Sequence, residues 1–267
     1  MAVGFALVVA VAGRGGPSAS AVPMAHGSST YTLMQMNLCL SGYAGCYGKV
    51  AYPAGVQAAV ARIRDALPDA VTLNETCRAD VGQIARQTGY HLRFSTVTVA
   101  GEPLRCTRPG GRGFFGDAVL TKAAIESTES HDFAAQAGIE WRRWLCVRTR
   151  VDVCTAHLAT EAGANAAQCA ELTAILARRA AMHTVIFGGD VNRRSACVRK
   201  RAWTRTDGSA DQAPGLQAIY GTGALRSPTA QVIPARHTDH DILQVRARYR
   251  VTRKRPTTPA WVPKPTQ

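Results

Sequence analysis

The stretch Thr184–Arg194, T-V-I-F-G-G-D-V-N-R-R, constrains this chain more than any other. Val185, Ile186 and Phe187 form a short apolar run of the kind a buried strand needs, and Gly188-Gly189 is expected to end it. Asp190 and Asn192 follow two residues apart, so both can face one cavity, with Arg193 and Arg194 at its rim. An acid, an amide and two guanidinium groups at a strand end outline a phosphate site. Taken alone, G-D-x-N is equally an ordinary turn, because Gly, Asp and Asn are the usual turn residues. The company it keeps elsewhere in the chain decides between the two.

With 267 residues, 46% of them hydrophobic, the chain can bury a substantial core. No internal repeat or composition break divides it, which favours one domain. The formal charge of +14 is carried by 27 arginines and 5 lysines. Arginine forks suit phosphate recognition. A GC-rich coding bias, which inflates Arg, Ala, Gly and Pro together, is the plain alternative, so charge favours a polyanionic partner only modestly.

Ala2 to Ala12 is apolar apart from glycine and too short to span a bilayer as a helix. It runs into Gly15-Gly16-Pro17 and Ala19-Ser20-Ala21, the pattern of a signal peptide cleaved after Ala21, with Ala25 as the alternative. No Lys or Arg precedes the apolar run, which departs from the usual pattern. The expected organisation is a signal peptide at 1–21, a linker at 22–29, a folded domain at 30–251 and a basic, Pro-rich tail at 252–267. A secreted monomer with no stable membrane insertion after cleavage follows.

Export places the protein where disulfides persist, and its eight cysteines are an even number with no C-x-x-C pair. Eight cysteines allow about 105 connectivities. Sequence position suggests Cys39 with Cys46 across a small loop and Cys146 with Cys154 across a hairpin near Arg150. Cys77 with Cys106 and Cys169 with Cys197 remain by elimination, and no reactive thiol is expected.

From Tyr31 to Leu40, Met34, Met36, Leu38 and Leu40 share one parity and Gln35 and Asn37 the other, the period of a half-buried strand. Asn37 is therefore expected to project away from the packed face. Val56, Val60, Ile63 and Leu67 recur at helical spacing before Pro68, and D-A-V-T-L-N-E then delivers Glu75 at the end of a buried strand. Strand, helix, strand predicts a parallel pair with its active edge at the strand termini. A helix around Val81 to Gln87 and a strand over His91 to Val99 follow. Gly101 to Gly116 reads as a loop, with Arg105, Arg108 and Arg112 available to a polyanion.

Asp117 to Thr121 reads as a strand, and Trp141 to Val147 with Val151 to Leu158 as a hairpin ending at His157. A helix carrying Cys169, Leu172, Ile175 and Leu176 leads into the G-G-D-V-N strand. Leu216 to Tyr220 is a short strand, H-T-D-H occupies His237 to His240, and Leu243, Val245 and Ala247 alternate with Gln244, Arg246 and Arg248 in a final strand.

Five polar signals thus fall in order at strand ends: M-N at Met36-Asn37, N-E at Asn74-Glu75, A-H-L at Ala156 to Leu158, G-D-V-N at Gly189 to Asn192 and T-D-H at Thr238 to His240. This order resembles the endonuclease/exonuclease/phosphatase superfamily, with its deoxyribonuclease I-like fold, over most of residues 30 to 251. The resemblance implies an α/β fold: a two-sheet mixed β-sandwich flanked by helices in four layers, here stabilised by disulfides. It implies Asn37, Glu75 and Asp239 as a metal set for Mg²⁺, with Mn²⁺ or Ca²⁺ as alternatives, in keeping with the preference of magnesium for one or two carboxylates. It further implies His240 as general base toward water, and His157 as donor to the phosphoryl oxygen or leaving group. Asp190 would position water or metal, Asn192 would bond the scissile phosphate, and Arg142 or Arg143 would contact phosphate, with Arg193 and Arg194 nearby.

Each residue also has an ordinary reading: Asn37 facing solvent, Glu75 capping the next helix, His157 satisfied in the core, His240 and Asp239 a surface pair. His91, His131, His183 and His237 carry no motif and read as structural or exposed. The run Arg193, Arg194, Arg199, Lys200, Arg201 and Arg205 is either a substrate rim or a solvated loop.

The chain departs from the family pattern at Gln217, in L-Q-A-I, where an Asp that orients the catalytic histidine is usual. The Gln217 amide oxygen is able to accept an imidazole N–H but carries no full charge, and Asp207 or Asp211 are the candidates to substitute. Asn74 where Gln is common, and Asp117 where Asn is common, are tolerable changes. A secreted, basic member fits a nuclease acting on DNA or RNA. The alternatives are a sphingomyelinase or inositol-phosphate-type phosphoesterase, or a catalytically weak nucleic-acid binder. A lipid enzyme needs an exposed apolar loop, and with 6% aromatics only Phe114-Phe115 and Trp141/Trp144 offer one.

Overall fold

The computed structural model describes residues 28–198 and 202–250. The proposed signal peptide, most of the linker, the tail and Arg199, Lys200 and Arg201 lie outside them. In chain order the elements are β1 (Ser28–Asn37), α1 (Tyr47–Val50), α2 (Ala54–Ala66), β2 (Ala70–Cys77), α3 (Arg78–Thr88), β3 (His91–Thr96), β4 (Thr98–Val99), β5 (Glu102–Pro103) and β6 (Phe115–Thr121). They continue with β7 (Ser127–Asp132), β8 (Glu140–Trp141), β9 (Arg143–Arg148), β10 (Asp152–Ala156), α4 (Ala162–Ala180), β11 (Val185–Asp190), β12 (Trp203–Thr206), β13 (Gln217–Gly221), β14 (Leu225–Ile233) and β15 (Ile242–Arg250).

Two six-stranded sheets carry the fold, in the orders β14-β15-β1-β2-β6-β3 and β12-β13-β11-β10-β9-β7, and β5-β4-β8 form a small third. β1 and β2 are parallel, as are β10 and β11, and the other neighbours are antiparallel. The periodicity of α2 and α3 puts Val56, Val60, Ile63, Val81 and Ile84 against Met34, Met36, Val71, Leu73 and Leu120 of the first sheet. Leu172, Ile175 and Leu176 of α4 meet Val185 and Phe187 of the second. Between the sheets, Leu33, Val119, Leu145, Val153, Ile186, Ile219, Leu243 and Val245 form a third cluster. The layers are helix, sheet, sheet, helix.

This corrects the expectation for Asn37. Its parity is opposite to Met34 and Met36, but that second face is the sandwich interior, so Leu33, Gln35 and Asn37 are as buried as the methionines. Gly188-Gly189 likewise does not end its strand, because β11 runs on to Asp190. The glycines permit close approach instead: a Cβ at Gly188 would stand 2.4 Å from Thr72 Oγ1 of the facing sheet, and one at Gly189 2.3 Å from the Ala156 carbonyl. Four strands escaped the sequence reading, β5, β7, β12 and β14, whose residues are largely exposed or half-buried and carry little apolar alternation.

All eight cysteines are paired, Cys39–Cys46, Cys77–Cys106, Cys146–Cys154 and Cys169–Cys197. Arg112 is not available to a polyanion, since it is buried and paired with Asp80 at 2.8 Å, and Arg105 lies over the Phe114 ring. Among the described residues no helix is long and apolar enough to cross a membrane. Gly188→Ala is expected to force the sheets apart locally and to destabilise the protein by ~1–3 kcal/mol, the usual range for overpacking, read as a lower urea midpoint at unchanged slope.

Candidate active site

β1, β2, β10 and β11 end on the same edge of the sandwich because each parallel pair runs in register: Asn37 lies beside Asn74, and His157 bridges to Asp190. At that edge β2 bulges. Its register shifts between Leu73 and Thr76, and Glu75 takes a left-handed φ of 53°, a conformation a non-glycine residue holds only when its surroundings impose it. The Glu75 carbonyl accepts the Leu40 N–H, and the Asn74 carbonyl accepts that of Leu38. Asn192 is left-handed too, at φ 48°, and its N–H caps Asp190 Oδ1.

The side chains form one cluster. Asn37 Nδ2 donates to Glu75 Oε1 at 2.8 Å and to Asp190 Oδ2 at 3.0 Å. Asp190 Oδ2 lies 3.4 Å from His240 Nε2 and 3.8 Å from His157 Nε2. Asn192 Nδ2 donates to the Leu158 carbonyl and contacts His157 Nε2 at 3.0 Å. Thr238 Oγ1 donates to the Asn37 carbonyl and fixes the segment that carries Asp239 and His240.

Electrostatics is dominated by buried acid. Burial pushes Glu75 up to about 8, its bond from Asn37 opposes this, and the charges of Asp190 and Asp239 push further upward. Burial also raises Asp190, against the pull of the His240 charge and of its bond from Asn37. Burial first, then the charges of Arg142 and His240, hold His157 well below the usual histidine range, so its imidazole is neutral. With Asn192 Nδ2 donating toward Nε2, the proton of His157 sits on Nδ1.

Oxygen donors that repel one another in a partly enclosed cluster are what a hard divalent cation relieves, so the chemistry of Glu75, Asp190, Asp239 and the Asn37 amide fits one. The acids do not form a closed cage. Among the described residues, the trio whose ligand atoms all fall within 4.8 Å is Cys39, Cys46 and Glu75, and those cysteines are disulfide-bonded. An open set suits an ion that keeps several waters.

The structure thus brings together Asn37, Glu75, His157, Asp190, Asn192 and His240 by contact, and Asp239 by its charge on Glu75. The arginines divide. Arg142, paired with Glu140 at 2.9 Å, lowers the carboxyl pKa values of Glu75, Asp117 and Asp190. Arg143, the first residue of β9, pairs instead with Asp132 at 2.8 Å. Arg193 is tied to Asn165 and Ser195, and Arg194 lies exposed against Gly215.

Sequence reasoning missed the support beneath the cluster. Gln35 Nε2 donates to Asn74 Oδ1 at 2.7 Å, and Thr72 Oγ1 donates to Gln35 Oε1. Asn74 Nδ2 donates to Asp117 Oδ1, and Asn74 Oδ1 accepts the Asp190 N–H at 2.8 Å. The signal for it was polar residues at alternating positions within runs otherwise fit to be buried. Gln217 does not accept from His240 as its chemistry allows, because its amide oxygen faces Gln35 at 3.3 Å.

The sequence profile of the Endonuclease/Exonuclease/phosphatase family matches residues 44–264, and the chain belongs to that family. Members are generally phosphoester hydrolases that typically use divalent metal ions. Solved structures with the same fold include truncated Caenorhabditis elegans TDP2, 16% identical with TM-score 0.60 over 82% of this chain and 97% of that one. The human Nocturnin catalytic domain with bound sulfate is 16% identical, TM-score 0.61, over 86% and 100%. D. rerio TDP2 complexed with a single-strand DNA product is 13% identical, TM-score 0.57, over 82% and 99%. No curated protein sequence matches the chain.

Burial raises Asp117 to about 7, with the Asn74 bond opposing. A carboxyl whose pKa is raised on folding stabilises fully below its unfolded value near 3.8 and loses that contribution as pH climbs through about 7. Chemical denaturation in EDTA is therefore expected to show Asp117→Asn gaining stability relative to the parent chain between pH 4 and 7, with the gain growing by up to ~1.4 kcal/mol for each pH step of one within that window.

Proposed function

We propose that this protein is a secreted, divalent-metal-dependent phosphodiesterase that hydrolyses nucleic acid. The observation that carries the reading is the meeting of Glu75, Asp190 and His240 around the Asn37 amide at one end of the sandwich. Glu75, Asn37 and Asp239 would hold the cation, Mg²⁺ first and Mn²⁺ or Ca²⁺ as alternatives. When bound, it would polarise a phosphoryl oxygen and neutralise the charge that builds there.

His240 takes the proton of the attacking water through Nε2, with Asp190 beside that nitrogen to orient the imidazole and the water. Asn192 offers its amide to the scissile phosphate. His157 donates to the phosphoryl oxygen or leaving group once phosphate draws Asn192 away and the Nε2–H tautomer forms. Arg142 supplies positive charge to the phosphate, and Arg193 and Arg194 edge the same end of the molecule. Four disulfides and the segment ending at Ala21 support export, which N-terminal sequencing of secreted protein tests by a start at Val22.

A phosphodiesterase acting on lipid has one observation in its favour: Ile139 and Trp141 are exposed on one short segment beside Arg142. Phe115 and Trp144, by contrast, are buried. The formal charge of +14 favours the polynucleotide.

Plasmid DNA and RNA incubated with protein and Mg²⁺ are expected to be cut, with cutting abolished by EDTA and reduced at least ~10²-fold by His240→Ala or Glu75→Gln. Retained but uncut polynucleotide would overturn the reading in favour of a binder, and release of phosphocholine from sphingomyelin vesicles in favour of the lipid enzyme. Cleavage at low substrate concentration should fall steeply with added salt.

A further inference from the structure

Residues four apart share one face of a helix, and along α3 one such series is Arg78, Gly82 and Arg86. That face borders an open cleft of about 680 Å³, to which β3 adds Arg93 and the half-buried ring of Phe94. No acidic side chain lines the cleft, and none of its three arginines has an ion-pair partner among the described residues. Arg93 Nε donates to Thr128 Oγ1 and its Nη1 to the Leu92 carbonyl, which fixes the guanidinium without cancelling its charge. Asp80, the acid of α3, is buried and neutralised by Arg112. Cations gathered in one concavity raise the local concentration of an anion.

Gly82 is a second and independent sign. Glycine weakens the interior of a helix, and nothing in the packing requires it here. A Cβ at Gly82 would meet only Arg86 Nη1, the movable end of a side chain, at 3.4 Å. A longer side chain, however, would project into the cleft between Arg78 and Arg86. The helix thus gives up stability at a position where bulk would block the space between two cations. Those cations lie eight residues apart, ~12 Å along the helix axis. About three nucleotides of a stacked strand cover that length, at ~3.4 Å each. Arg78 follows Glu75 by three residues, so the cleft begins within about 11 Å of chain from the acidic cluster.

We propose that the cleft between α3 and β3 is a second polynucleotide-binding surface: Arg78, Arg86 and Arg93 hold phosphates of the strand that flanks the cleaved bond, and Phe94 offers its ring to a base. Basic side chains that track a backbone beside an aromatic face are what single strands are held by. The proposal rests on the reading of polynucleotide as the substrate. The cleft touches none of the reacting atoms, so it acts on affinity and not on the chemical step.

The test measures binding of a fluorescein-labelled single-stranded oligonucleotide by anisotropy in EDTA, where cleavage plays no part. Arg86→Ala/Arg93→Ala is expected to raise Kd at least ~10-fold and to lower the slope of log Kd against log salt by about 1.4, two phosphate contacts at ~0.7 each. Arg226→Ala/Arg246→Ala removes the same formal charge from exposed positions at the opposite edge of the sheet, and is expected to change Kd less than ~3-fold. Gly82→Gln leaves the charge alone; it should raise the urea midpoint and yet weaken binding at least ~10-fold. Equal losses in the two double variants, or full affinity in Gly82→Gln, overturns the proposal. So does binding to phosphatidylserine vesicles that depends on Arg86 and Arg93 while oligonucleotide binding does not, which assigns the cleft to a membrane. If the parent protein binds the probe through these residues but cuts no polynucleotide, the catalytic reading fails and the cleft stands. If it cuts polynucleotide with KM unchanged in Arg86→Ala/Arg93→Ala, the cleft fails and the catalytic reading stands.

Discussion

The side-chain amide of Asn74 is the joint on which the rest of the molecule depends. It stands at the end of a strand in one sheet and accepts the Asp190 N–H of the other, while Gln35 and Asp117 fix its remaining groups. Buried amides and acids are tolerable only when their partners are complete, and a complete set leaves little freedom in how two sheets meet. The bare backbone at Gly188 lets β11 come close enough for that bond. Hydrophobic burial between the sheets supplies the drive to associate, and the polar layer sets where they stop.

The same joint explains the charge of the site. Glu75 is pushed into the sandwich edge by a bulge, and Asp190 is brought to it by the facing sheet, so acids that local sequence keeps far apart are forced together. The Asn37 amide and the positive charge of Arg142 temper this concentration without balancing it. A site in that condition favours a cation. The four disulfides and three apolar clusters offset the cost of that strain and charge to stability.

Much of the layout was legible because helix and strand periods are local. The repeat of Val56, Val60 and Ile63 gave α2, that of Leu172, Ile175 and Leu176 gave α4, and the strict alternation after Ile242 gave β15. Short motifs at strand ends pointed to the cluster. The reading failed where the period is blunted by exposure, as in β7 and β14, and where one strand is buried on both faces, as in β1, so that Asn37 was expected outside. Arg142 and Arg143 were indistinguishable in sequence, and only the folded chain separates them, Arg142 pairing with Glu140 and Arg143 with Asp132.

By itself, then, the sequence determined the order of the elements that carry the site, the residue types at their ends, the family, and a basic chain with an even set of cysteines, all properties carried by neighbours a few positions apart. Only the tertiary structure decided that Asn37 bridges Glu75 and Asp190, that Gln217 turns to Gln35 and Asp207 rather than to His240, and that Arg112 is buried with Asp80. Most of those contacts join residues tens to nearly two hundred positions apart. Which donor meets which acceptor at such separations is set by the packing of two sheets as rigid bodies, and no local pattern in the chain records it.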